Sequence, residues 1–113
     1  VYGTEIIITE AVRLEIENNA EFNIRELDLI KVKGKKKPVK ILEIMVNSPD
    51  TNVLDHFNKG RQLYNQGRWE DATREFAFGA DKDGPSKLFL ERCEDFKSKP
   101  PLVWDGVYEF KTK

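Results

Sequence analysis

The 113-residue chain has one cysteine, Cys93, and one histidine, His56. A single thiol excludes an internal disulfide, and a single imidazole leaves no histidine-based metal cluster and no histidine triad. No apolar run approaches the roughly 18 residues that cross a bilayer. Residues Val1 to Ile8 lack the basic start and cleavage site of a secretory leader. The glycines show no Gly-x-x-x-x-Gly-Lys-Ser/Thr spacing, so a phosphate-cradling loop of that kind is missing. These absences predict a cytoplasmic, reducing setting without direct membrane contact, in which packing alone supplies stability. On an apolar helix face Cys93 reads as a small core residue, because a reactive thiol needs a polar, electropositive setting.

What is present is a globular composition, 39% hydrophobic and 35% charged, with a net charge of −1. That neutrality is a cancellation. Residues 1–30 sum to −5 and residues 41–113 to −2, whereas Lys31, Lys33, Lys35, Lys36, Lys37 and Lys40 lie in ten residues without an acid. One local cationic loop without an aromatic stacking platform does not make a nucleic-acid footprint, and no nucleic-acid partner is expected.

Hydrophobic periodicity divides the chain into residues 1–48, 49–99 and 100–113. In the first part, Glu5-Ile6-Ile7-Ile8 reads as a strand, and Thr9 with Glu10 opens a short helix carrying Ala11, Val12, Leu14 and Ile16 to a stop at Asn18-Asn19. Phe22 to Val32 and Val39 to Val46 read as strands joined by the Gly34–Pro38 loop. The second of them is apolar on both faces and needs cover on each. Arg25, Glu26 and Asp28 read as a polar strand face, at a dimer or interdomain surface.

After the polar break at Asn47–Asn52 the period becomes helical. Val53, Phe57, Gly60 and Tyr64 form one stripe, and Trp69, Ala72, Phe76 and Gly79 another, either side of a turn at Asn65-Gln66-Gly67. His56 falls on the exposed side of the first helix, opposite no obvious partner. Pro85 starts a third helix with Leu88, Phe89, Cys93 and Phe96 on its apolar side. Lys99-Pro100-Pro101 opens an extended tail in which Trp104 and Tyr108 read as anchors or as a recognition segment. The expected fold is α+β: a βαββ fragment, a helical hairpin, a third capping helix and the tail.

The stretches GTEIIITEAV and FNIRELDLIKVKGKKKPVKILEI resemble the C-terminal end of a bacterial-type class III adenylate/guanylate cyclase catalytic domain. The resemblance implies that Lys33, the first lysine of VKGK, contacts the nucleotide triphosphate, with Lys35 a weaker candidate; read from the residues alone, such a hairpin tip is equally a solvated guard against edge pairing. It also implies that an intact enzyme converts ATP to cyclic AMP and pyrophosphate with two divalent ions, Mg or Mn. The aspartates that would hold those ions have no counterpart here, so this segment alone is expected to be inactive and to bind no metal or cofactor. Its implied partners are the nucleotide triphosphate, the rest of the cyclase domain and a dimer mate, and its implied setting includes the cytosolic end of a membrane-anchored sensor.

Residues 53–85 resemble a single tetratricopeptide repeat, with Gly60, Leu63, Gly67, Ala72, Phe76, Gly79 and Gly84-Pro85 at its small, aromatic and breaker positions. One repeat cannot bury its own faces, so a capping or docking use and peptide binding both stand. The alternative to a cyclase region is therefore a non-catalytic interaction module.

Overall fold

The computed structural model describes residues 6–10, 12, 23–32, 36–45 and 50–109. The fold is α+β. The chain forms two compact units, one built on Thr4–Ser48 with Val107–Lys113 and the other including Pro49–Gly106. The break at 48/49 falls in the polar segment. Of the tail, the residues up to Gly106 group with the helices and Val107–Lys113 with the sheet.

The first unit is a four-stranded sheet of β1 (Ile6–Thr9), β2 (Asn23–Lys31), β3 (Val39–Met45) and β4 (Tyr108–Glu109), in the order β1-β3-β2-β4. β3 runs antiparallel to β1 and β2, and β4 lies parallel to β2. β-branched residues suit such pleated, half-buried positions, and Ile24 against Ile44 follows that rule. Glu10 and Val12 are helical. The rest of the helix expected after Thr9, with its Asn18-Asn19 stop, lies outside the described residues.

A bulge shapes β2. Glu26 faces Leu42 and Asp28 faces Ile41, leaving Leu27 as the extra residue. Without it, Arg25 and Asp28 would point to opposite faces. With it, both share the face of Glu43 and Ile41, and Leu27 is fully buried at the kink.

The second unit contains α1 (Thr51–Asn65), α2 (Trp69–Ala77) and α3 (Gly84–Ser98). Each long helix begins on an aspartate that satisfies orphan amide donors. Asp50 accepts from the Asn52 amide at 2.7 Å, and Asp83 accepts from the Ser86 amide at 3.2 Å and the Ser86 hydroxyl at 2.6 Å, with Pro85 in the first turn. Gly67, at φ +76°, lets the chain reverse after α1.

The predicted stripe on α1 is its buried face, Val53, Phe57, Gly60 and Tyr64. Gly60 faces the Phe76 ring, and Gly79 faces Val53, so α1 and α2 pack antiparallel at close range. Phe89 stands edge-on to Phe57 at 5.7 Å and Tyr64 stacks near Phe96 at 6.3 Å, which sets α3 alongside α1 in the same direction. Phe57, Tyr64, Ala72, Phe76, Phe89 and Cys93 are completely buried. Among the described residues no helix is long and apolar enough to cross a membrane.

Candidate functional site

The lysine-rich connection between β2 and β3 is the place at which sequence points to chemistry. Its strands are held in register down to the Ile30–Val39 pair, so the loop spans residues 32–38. Lys36 and Lys37 are exposed in it, and Lys31 and Lys40 stand half-buried on the two strands that feed it. Lys33 and Lys35, the two candidate phosphate contacts, lie outside the described residues, as does Gly34.

The charges around the stem are partly compensated. Lys40 Nζ lies 3.4 Å from Glu26 Oε1 on the exposed face, a pair of little energetic weight because water screens both groups. Lys31 is in register with Glu109 of β4. Among the described residues, Lys36 and Lys37 are the exposed cations of the loop, and adjacent positive charges of this kind favour an anionic ligand.

On the other face, the polar reading of Arg25, Glu26 and Asp28 requires correction. Only Glu26 is exposed; Arg25 is 4% and Asp28 1% accessible. Arg25 donates from Nε at 3.0 Å and from Nη2 at 2.6 Å to Glu43 Oε1, directly across the ladder. Asp28 Oδ1 accepts the amide of Leu29 at 2.9 Å, steadying the strand just past the bulge. The cause is the bulge, which turns Asp28 to the covered side, and the cross-strand position of Glu43, which gives Arg25 a partner that makes burial tolerable. These groups set the register of the hairpin instead of offering a surface.

The helical unit holds the remaining sequence candidates. Trp104 packs edge-on to Tyr64 at 5.0 Å and to Trp69 at 5.1 Å, and lies 5.3 Å from Phe96. Its Nε1–H donates to the Tyr64 carbonyl at 2.8 Å, the same oxygen that accepts the Gly67 amide at 3.0 Å where α1 ends. Tyr108 enters β4 opposite Ile30. His56 has a partner that the sequence reading did not find: its Nδ1 lies 2.8 Å from Glu75 Oε1, and its ring stacks on Phe78 at 4.1 Å. Glu75 lies 19 positions along, on the antiparallel α2, so no local spacing could reveal it. Cys93 is buried, and burial pushes its thiol up to about 12. That removes the thiolate and with it the nucleophile.

An open groove of about 560 Å³ runs along α3, lined by Asp81, Lys87, Leu90, Glu91, Glu94 and Asp95. Its acidic rim repels phosphate. Among the described residues no three His, Cys, Asp or Glu side chains converge as metal ligands.

No family model matches the chain, and no solved structure matches it. Among curated proteins it is similar to the terminal-differentiation-specific adenylate cyclase of Dictyostelium discoideum, at 29% identity over 105 residues. The match covers 81% of this chain but only 5% of the relative's length. The similarity supports a relationship to adenylate cyclases.

Proposed function

We propose that this chain is the closing part of a class III nucleotide cyclase, in which the sheet unit completes the catalytic sheet and the lysine loop faces the nucleotide triphosphate. The observation that carries the reading is the antiparallel pairing of β2 with β3 around a lysine-bearing connection in which Lys36 and Lys37 are exposed, the strand order that the resemblance implies. In that setting an ammonium at Lys33 is a compact point charge for phosphate oxygens and stabilises the charge that builds on departing pyrophosphate. The segment is inactive alone, acts in the cytoplasm, and relies on the rest of the enzyme for metal binding. Lys33→Ala in the full-length enzyme lowers turnover on ATP without changing dimerisation. Unchanged kinetics would remove Lys33 from the site.

A second reading, a tetratricopeptide-like interaction module, is favoured by one observation. The helical unit already grips an extended segment, its own tail, through the Trp104 seat. Deleting residues 53–113 from the full-length protein should then alter assembly or regulation, and a truncated protein with normal behaviour in both would sink this reading.

A further inference from the structure

The last segment of the helical unit reaches its place by doubling back. α3 ends at Ser98, and the Lys99 amide donates to the Asp95 carbonyl at 2.8 Å. The chain then bends at Lys99 and again at Leu102 and Val103, and Trp104 returns to stand 5.3 Å from Phe96, eight positions behind it. The prolines between the bends, Pro100 and Pro101, are stiff and favour extension. Leu102 is 103% and Val103 85% exposed, so the reversal gains no burial for them. What holds the arm is its end. Trp104 sits among Tyr64, Trp69 and Phe96 with its indole N–H on the Tyr64 carbonyl, and Gly106, at φ +87°, turns beside the Asn65 side chain. All of these contacts lie within the helical unit.

We propose that this seat is an exchange site: the slot of Tyr64, Trp69 and Phe96 takes residues 100–106 of a second copy of the chain in place of its own. The chemistry of the slot names the occupant. A buried tryptophan needs a ring pocket and an acceptor for its N–H, and Trp104 finds both here. Because its partners lie on α1, α2 and α3, a tail arriving from a second copy makes the same contacts. The hinge favours that source. Exchange of an identical element is a low-cost route to dimers, and a short hinge that resists folding back invites it. An arm that crosses over leaves Pro100-Pro101 extended and brings Leu102 and Val103 of the two copies together, where they gain burial.

Opposing exchange is the effective concentration of the tethered tail, about millimolar for a short flexible linker and lower for a stiff one. The intact chain therefore exchanges at high concentration, and a chain whose tail cannot close on its own slot exchanges at low concentration. The proposal deepens the interaction-module reading and rests on it for its use, though not for the exchange itself.

Two variants of the whole chain separate slot from tail. Trp104→Ala leaves the slot vacant, and Phe96→Ala damages the slot while keeping the tail. When unlabelled Trp104→Ala is added to isotope-labelled Phe96→Ala at up to about 1 mM, sedimentation should show a heterodimer. The Trp104 indole N–H should then exchange about tenfold more slowly at nine-tenths occupancy, since only the free tail exchanges. An indole rate unmoved by the addition overturns the proposal. If Phe96→Ala also lowers protection of the helical amides, a chain lacking Leu102 and Val103 decides, because its arm is two residues short of its own slot. That chain should be a dimer at tens of micromolar, on the order of a hundredth of the millimolar tether value, with its indole protected, and a monomer overturns the exchange. Altered assembly after deletion of 53–113 without tail exchange discards this proposal and keeps the module; exchange with a normally behaving truncated protein does the reverse.

Discussion

Replacing Gly60 by alanine puts a methyl group where α1 and α2 touch. The new Cβ would lie 2.8 Å from Phe76 Cε1 and 2.9 Å from Cδ1 and Cζ, whereas carbon pairs rest at about 3.5–4.0 Å. Something must therefore move by roughly 0.7 Å or more. The Phe76 ring cannot do so freely, since it is fully buried, stacked on Phe89 at 5.3 Å and edge-on to Phe57 at 5.6 Å. Overpacking of this kind costs about 1–3 kcal/mol. Alanine returns about 1 kcal/mol of helix propensity over glycine. The net loss is about 1 kcal/mol, with an upper end near 2. For a unit of this size that corresponds to a fall in Tm of about 4–15 °C. Both tryptophans, Trp69 and Trp104, sit in the helical unit, so their fluorescence during urea or thermal unfolding reports this unit selectively. A Gly60→Ala, Phe76→Leu double variant should lose less stability than the two single losses summed, because the smaller side chain vacates the clash. A Gly60→Ala protein as stable as the parent, or an additive double variant, would refute the close-packing argument.

Arg25→Met should destabilise the sheet unit by about 3 kcal/mol by stranding the buried Glu43 carboxylate, and Arg25→Met with Glu43→Met should recover most of it, as measured by urea unfolding. The Cys93 thiol, held at about 12 against an ordinary 9.0, stays protonated in the fold while the unfolded chain ionises. Stability from this group is thus complete below pH 9 and declines as pH rises toward 12; a native protein that reacts with a thiol reagent at pH 8 as fast as the denatured one would contradict its burial. Glu70 is held below its ordinary value, first by a hydrogen bond from Lys97 and then by that ammonium's charge, with Lys97 Nζ at 2.7 Å. Lys97→Ala should raise the Glu70 titration midpoint in NMR, and high salt should do so partially because the group is exposed; an unmoved midpoint would show that the pair is not formed in solution.

The helical half was the more legible. On α1 every residue of the stripe Val53, Phe57, Gly60 and Tyr64 is buried, because a 3.6-residue period converts sequence spacing directly into one face. On α3 the same logic located Phe89 and Cys93 but missed Arg92, which is buried because its Nη1 reaches the Tyr64 hydroxyl at 3.2 Å and its guanidinium covers the Phe89 ring. A positive charge on a helix reads as solvent-facing until its partner, 28 positions away, is known. Strand alternation proved less reliable for a related reason. One extra residue at Leu27 reverses the parity of everything after it in β2, and nothing in the letters RELD announces a bulge. The candidate site divides the same way: the lysine cluster is visible as composition, while Lys40–Glu26 and Lys31–Glu109 are long-range pairings.

By itself, then, the sequence determined what depends on near neighbours: the two periodicities, the break between them, the start of the third helix at Pro85, and a lysine loop between two strands. Tertiary structure decided what depends on residues far apart in the chain. It buried Arg25 against Glu43, brought Glu75 to His56, and split the tail between a Trp104 seat on the helices and a two-residue strand on the sheet. The physical reason is that a charge or ring takes its role from whatever the folded chain places within a few ångströms of it. Local spacing cannot encode that partner.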